Sequence, residues 1–404
     1  MIYIFFYVLI NKMALNDIVR GIFPFQEIQE MRNTGIISTN DSTIKINDEE
    51  IQPSSLDIRV QDIAYIVPKG FRPAKDQKID DARKSLTDSK TINLEKGALL
   101  NPCPYDKEGG FVYLIPIEEK LALPRGFRGH ANPKSSTGRI DLNIRLLVDG
   151  CPEYDEIPYN YEGPIYILLE PGWFSVVLYP LISLNQIRFY FGKRSEIEVD
   201  DQSLCREYQK HKMLYGYDNN PIYINEDHFD RGLKLGINLS QDRVYGIALK
   251  AKQTPEPIDL SKKEYYSVND FFDSIKKEDL KNGMLHMETG DFYLIASDSL
   301  VRIPPGFAGE MVPYLVEAGE VRTHEAGFFD EGFGYGKNGE VLGSSAVLEM
   351  KARRFETYTN GQMVSKIVLE YMRDISTKVY GEKGSHYQGQ RSIRPAKYFK
   401  QDLN

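Results

Sequence analysis

At 404 residues, 41% of them apolar, the chain is long enough for two domains of ordinary size with real cores. A net charge of −8 and a pI near 5.5 exclude the broad basic face that nonspecific nucleic-acid binding needs, while leaving room for one basic pocket that takes a nucleotide. Three cysteines (Cys103, Cys151, Cys205), none in a C-x-x-C pair, fit a reducing cytoplasm and supply neither a disulfide framework nor a thiolate zinc site.

The opening MIYIFFYVLINK holds an apolar run of about ten residues, too short to span a bilayer. No basic region precedes it and no small-residue cleavage site follows, so a start codon placed too early, with Met13 as the true beginning, accounts for it and no membrane association is expected. From Met13 to Gly35 apolar residues three and four apart predict helical turns broken at Pro24. Residues 53–67 alternate and read as one strand, and 69–90 read as a charged, exposed loop. Short strands follow at 110–117, 121–123, 144–148, 166–169, 174–179 and 185–191. Residues 200–230 show no period and read as a linker. A helical patch is expected near 268–277, and 380–399 form a polar tail that either frays or folds over a ligand as a lid. The 26 Tyr and 20 Phe favour strands, and 21 Pro with 32 Gly punctuate them, so the expected class is mainly β.

One offset recurs. Pro124, Gly126, Phe127 and Gly129 reappear as Pro304, Gly306, Phe307 and Gly309, and Tyr113-Leu114-Ile115 as Tyr293-Leu294-Ile295, all 180 residues on. Two tandem copies of one β domain are implied: 13–199, a linker at 200–230, and 231–404 ending in the tail. Only the first copy carries KSSTGR, residues 134–139. Two cations, three hydroxyls and a glycine in six residues suit polyanion binding, and Gly138 permits close backbone approach; a solvated polar turn is the competing reading.

PSSLDIRV, KSSTGR, HEAGFFDEGFG, SSAVLEM, NGQMVSKIVLEYM and YGEKGSHYQGQ, in this order, resemble the dCTP deaminase branch of the dUTPase-like superfamily, in its double-length bacterial form. The resemblance implies two tandem dUTPase-like distorted β-barrel or jelly-roll domains with few short helices. It implies hydrolytic deamination of dCTP to dUTP in pyrimidine deoxynucleotide synthesis, without zinc, with Mg²⁺ on the triphosphate, by a homo-oligomer for which dTTP is a candidate inhibitor. By motif, Glu349 matches the catalytic glutamate, with Ser135 and Arg139 at the reacting end of the site. Lys134, Ser136, Gly138 and Val347 fall among the substrate-binding positions, Asp330 at the sugar, and Tyr380, His386 and Gln390 in the closing tail. His386 stands where a lysine is more usual, which would make phosphate pairing there depend on pH.

Deamination needs water at C4, a base for its proton, and an acid for N3 and the leaving amine; one shielded carboxylate with a raised pKa can serve all three. Glu349 ends an apolar Ala346-Val347-Leu348 run, and its competing reading is a strand-end acid in solvent. At offset 180 it faces Leu169, and Arg139 faces Gly319, so the first copy has the cassette without the glutamate and the second the reverse. A working site must then be composite, within a chain or between chains. Zinc deaminases use H-x-E with P-C-x-x-C; here Pro102-Cys103 is followed by no second cysteine. Two other readings stay open: a dUTP diphosphatase, suggested by Asp330 in its hairpin, alone or combined with deamination, and a non-catalytic nucleotide-binding module.

Overall fold

The computed structural model describes residues 19–67, 70–86, 90–102, 112–225, 228–240, 242–314, 322–323, 327–352, 354–382 and 386–401. The early-start reading of residues 1–12, Cys103, Gly319 and the start of the HEAGFFDEGFG motif fall outside them.

Two long strands, Val112–Ala122 and Phe292–Val301, each centre a sheet. Around the first the strand order is Lys90–Asn93, Ile63–Val67, Val112–Ala122, Glu162–Pro171, Leu142–Val148. Around the second it is Phe272–Ile275, Ala248–Ala251, Phe292–Val301, Ser344–Lys351, Arg322–Thr323. A second antiparallel layer repeats as well. Leu56–Arg59, Ser183–Phe191, Phe127–Pro133 and Glu156–Ile157 follow one another in the first half. Leu233–Gly236, Met363–Tyr371, Phe307–Pro313 and Phe328–Phe329 do so in the second. The chain is thus mainly β, with two units of one topology and few short helices, and the strands Phe127–Pro133 and Ser183–Phe191 stand 180 residues before their counterparts.

The offset slips by one on the strand that matters most. Leu168 pairs with Leu114, and Glu349 pairs with Leu294, whereas Leu169 pairs with Tyr113 and Met350 with Tyr293. The counterpart of Glu349 is therefore Leu168, not the Leu169 of the ungapped alignment. A one-residue slip reverses a strand's faces. Glu170, the one carboxylate adjoining Leu169 in that strand, is the counterpart of Lys351 and lies on the side of its sheet that matches Glu349's.

The halves are not beads on a string. One apolar core joins Leu146, Ile167, Leu169 and Phe174 of the first half to Leu249, Phe271, Phe272, Leu294 and Val347 of the second. Phe272 packs edge-on against Phe174 at 5.3 Å, and Val176–Leu178 pairs in parallel with Ile258–Asp259. A second contact is ionic. His130 bridges Glu156 (2.9 Å) and Glu310 (3.0 Å), Arg194 pairs with Glu310, and Arg188 Nη1 donates to Glu370 at 2.7 Å. Burial opposes charging His130, but Glu310 and Glu156 outweigh it and hold the imidazole up at about 10. Since Glu310 stands 180 residues after His130, equivalent positions touch, as they do across a two-fold axis.

Several segments differ from their sequence reading. Within 200–230, Asp201–His211 is a helix: Asp200 caps it by accepting from Ser203 N, and Leu204 and Tyr208 are buried in the second core. Two buried residues four apart were too sparse a stripe to show a period. Residues 53–67 form two strands, because the chain turns after Val60 and passes from one sheet to the other. Conversely, the two strands expected at 110–117 and 121–123 are one, Val112–Ala122, in which Glu119 is buried and accepts from Arg59 N and Nε, each at 2.7 Å. The 69–90 loop contains a helix, Ile79–Ser85, with Ile79 buried. The 268–277 patch is one helical turn, Val268–Phe271, running into the strand Phe272–Ile275. The described tail does not fray: Tyr398 and Phe399 are fully buried, Phe399 lying 5.4 Å from Phe271.

Candidate active site

The strand Phe127–Pro133 ends in a proline, and the cassette follows as a single helical turn, Ser135–Gly138. Thr137 locks the turn, its hydroxyl donating to Lys134 O (2.5 Å) and Leu184 O (3.2 Å). Ser136, Thr137, Gly138 and Arg139 are all buried, so the run is no solvated turn.

Glu349 lies inside the strand Ser344–Lys351 and is only 2% exposed. It meets the cassette within one chain. A methyl group on Gly138 would sit 2.0 Å from Glu349 Oε2 and 2.6 Å from its Cδ, so the carboxyl rests on the bare Cα of Gly138. Gly138 is needed for the missing side chain rather than for an unusual φ. Burial pushes the Glu349 carboxyl up to about 8, with Arg139 pulling down and Asp141 pushing further up. Asp141, at φ 55°, is itself fully buried and pairs with Lys351 Nζ at 2.8 Å. Lys351 is two residues after Glu349 and so on the same face of the strand.

Arg139 is 4% exposed. Its guanidinium lies 3.7 Å over the Tyr387 ring, donates to Arg394 O, and approaches Gln390 Oε1 at 3.5 Å. Ser136 Oγ and Tyr387 Oη are 2.9 Å apart. The tail is stitched to the second unit: Gln390 Nε2 donates to Ser345 O (2.5 Å), Gly389 N to Ser344 Oγ (2.7 Å), and Gln388 Nε2 to Gly332 O (3.0 Å). Tyr380 packs on Phe333 at 5.2 Å.

Ser135, Arg139, Val347, Glu349, Tyr380 and Gln390, all expected from sequence, line one cavity with Tyr387 and Phe328. Its volume is about 40 Å³, far below the roughly 300 Å³ at which ligand pockets begin. The tail forms one wall of it, through Tyr380, Tyr387 and Gln390. A larger hollow of about 780 Å³ opens at residues 70–73 and 152–154, but it is a surface dish without any cassette residue.

Ser136 and Gly138 touch its wall through Tyr387 and Glu349, while Lys134, Asp330 and His386 are not among its lining residues. Lys134 pairs with Asp57. Asp330 is buried, accepts from Ser54 Oγ, and lies 3.8 Å from Arg188 Nη2; burial raises its pKa despite Arg188. His386 is on the exposed rim, and burial of its ring with the nearby Lys397 and Lys263 lowers its pKa. Sequence reasoning missed Asp57, Asp141, Lys351, Tyr387 and Lys397. Lys351 was legible as the same-face neighbour of Glu349, and Asp57 and Tyr387 stood inside quoted motifs; nothing in sequence marked Asp141.

Among the described residues no three His, Cys, Asp or Glu side chains converge as a metal site, and no helix is long and apolar enough to cross a membrane. The family model described as the 2'-deoxycytidine 5'-triphosphate deaminase (DCD) N-terminal domain matches residues 19–193, and that of the C-terminal domain matches 201–399. No curated protein sequence matches. The crystal structure of 2'-deoxycytidine 5'-triphosphate deaminase from Agrobacterium tumefaciens is similar at 29% identity and a TM-score of 0.76, over 89% of this chain and 99% of that one. With both family models matched in order and the double-length architecture shared, the chain belongs to the dCTP deaminase family.

Proposed function

We propose that the chain hydrolyses dCTP to dUTP and ammonia at the composite site, with Glu349 moving the protons. The observation that carries this reading is the buried Glu349 carboxyl, held near pKa 8 against Gly138 in a cavity it shares with Ser135 and Arg139. In its ionised form Glu349 takes a proton from water as the oxygen adds to C4 and passes it to N3. The second proton of the new hydroxyl travels through the same carboxylate to the 4-amino group, which leaves as ammonia as the C4 carbonyl forms. Arg139 supplies a fixed cation beside the reacting ring, and Ser135 orients the water or the departing amine. Val347 and Gly138 shape the base pocket, Lys134 and Ser136 face the phosphates, and Asp330 serves the sugar. Tyr380, His386 and Gln390 belong to the closing tail. In this reading the reaction needs no zinc, Mg²⁺ arrives on the triphosphate, and the enzyme is cytoplasmic and oligomeric.

The test incubates the full chain and Mg²⁺ with dCTP and separately with dUTP, measuring ammonia and pyrophosphate. Ammonia from dCTP is expected, undiminished when zinc is chelated. Pyrophosphate from dUTP without ammonia from dCTP would make the chain a dUTP diphosphatase instead.

A further inference from the structure

Beyond Gln390 the chain turns back along the cassette. Arg394 accepts from Arg139 through its carbonyl and donates from Nη1 to His386 O. Ala396, Tyr398 and Phe399 are buried, and Glu264 N donates to Lys397 O at 2.9 Å, so the backbone at Lys397 is fixed. Its side chain is half-buried and lies near Lys134, Asp57 and Lys263. Among the described residues Lys397 has no carboxylate within 4.0 Å and no hydrogen-bond acceptor; its ammonium lies 5.5 Å from the Tyr398 ring, and Asp57 acts on it only from farther away. Asp57 is already paired with Lys134. A half-buried ammonium facing other cations is costly. Burial first, and then Lys134, drive its pKa down to about 8. A polyanion seated here would reverse both effects.

We propose that Lys397, with Lys134 and the exposed Lys263, seats the phosphate chain of the nucleoside triphosphate whose base lies against Glu349. The segment after the closing tail thus becomes part of the binding site. This assignment rests on the deaminase reading for its ligand. Lys397 supplies the cation that His386 supplies only when protonated, and it stands near Lys134 of the cassette. Because it acts on the phosphates, it separates triphosphates from shorter nucleotides.

The test titrates the full chain with inorganic tripolyphosphate by calorimetry and measures KM for dCTP and dCMP, in wild type, Lys397→Gln, Lys397→Arg and Lys263→Gln. Lys397→Gln is expected to weaken tripolyphosphate binding and raise the dCTP KM about tenfold each, the value of one charge-assisted contact, while the dCMP KM changes by less than about twofold. Lys397→Arg restores most of the affinity. Lys263→Gln, on an exposed side chain that folding does not need, costs about threefold in tripolyphosphate affinity. Wild-type affinity for tripolyphosphate also falls as pH rises through about 8, where Lys397 loses its proton, and the fall is shallower in Lys397→Gln. Equal tripolyphosphate affinity in wild type and Lys397→Gln overturns the assignment, as does an equal loss for dCTP and dCMP. Should wild type release no ammonia from dCTP, the deaminase reading falls, while the tripolyphosphate titration still decides the anion seat.

Discussion

The same face of the same sheet has two fates in the two halves. In the first half Leu114 and Leu168 point away from the inner core and, with Val67 and Leu147 of the same sheet, pack against Ile79, with Phe71 and Tyr154 beside them. In the second half the matching positions, Leu294 and Glu349, face the first half: Leu294 joins the shared core, and the cassette and tail cover Glu349. One face is sealed by its own helix, Ile79–Ser85; the other is sealed by a different repeat. A leucine under an apolar roof needs nothing further. A carboxyl there needs a partner, and Arg139 with the Asp141–Lys351 pair surrounds it. Duplication therefore supplied two equivalent surfaces, and a dry contact between repeats turned one of them into a pocket where a carboxyl titrates near neutrality. Replacing single groups on the second face breaks the contrast in graded steps.

The largest effect is expected from Glu349→Gln, which makes that face as inert as its counterpart. Ammonia release should fall by about 10³-fold while dCTP still binds, because shape is kept and the proton acceptor is lost. Retention of more than a tenth of the rate would remove Glu349 from the chemistry. Mixing this variant with Arg139→Ala should return no activity, since cassette and acid come from one chain. Recovery on mixing would show that the working pair forms between chains.

Much of this contrast was legible in the sequence, and its limits have physical causes. The recurring Pro-Gly-Phe-Gly and Tyr-Leu-Ile positions stand at equivalent places in both halves. The need for a composite site followed from dividing cassette and glutamate between repeats. Periodicity could not show the one-residue slip that makes Leu168 the counterpart of Glu349, because a continuous apolar run such as Ile-Leu-Leu looks alike in either register. Asp141 escaped notice because its role comes from a left-handed backbone turn and from Lys351, 210 residues away.

Gly138→Ala is expected to separate activity from stability. The added methyl would clash with the Glu349 carboxyl, the movable end of a side chain, so the carboxyl yields and the turn survives. Displacement by about 1 Å should cost roughly 10²-fold in kcat. Alanine is the better helix former, so the melting temperature should hold or rise slightly. A variant with wild-type kcat would mean that Glu349 works from elsewhere, and one that melts early would make Gly138 a folding residue.

The smallest and most specific effect belongs to Asp141→Asn. Glu349 acts as a base in its ionised form, so kcat/KM should rise with pH and level off above about 8 in the wild type. Burial is the main reason for that high value, and the Asp141 charge adds to it. Asparagine keeps the shape but deletes the negative charge that Lys351 Nζ meets at 2.8 Å. Losing that charge favours the ionised form of Glu349, so the rising limb should move to lower pH, by about one unit. At pH 6, where little of the wild-type carboxyl is ionised, the variant should be the faster enzyme if geometry is kept. Lys351→Met works in the opposite sense, removing the cation that sits 2.8 Å from the Asp141 carboxylate and so moving the limb upward. Paired shifts of opposite sign require Asp141 and Lys351 to act through the charge on Glu349. A uniform loss of rate with an unmoved limb would reduce them to a strut holding the repeats together.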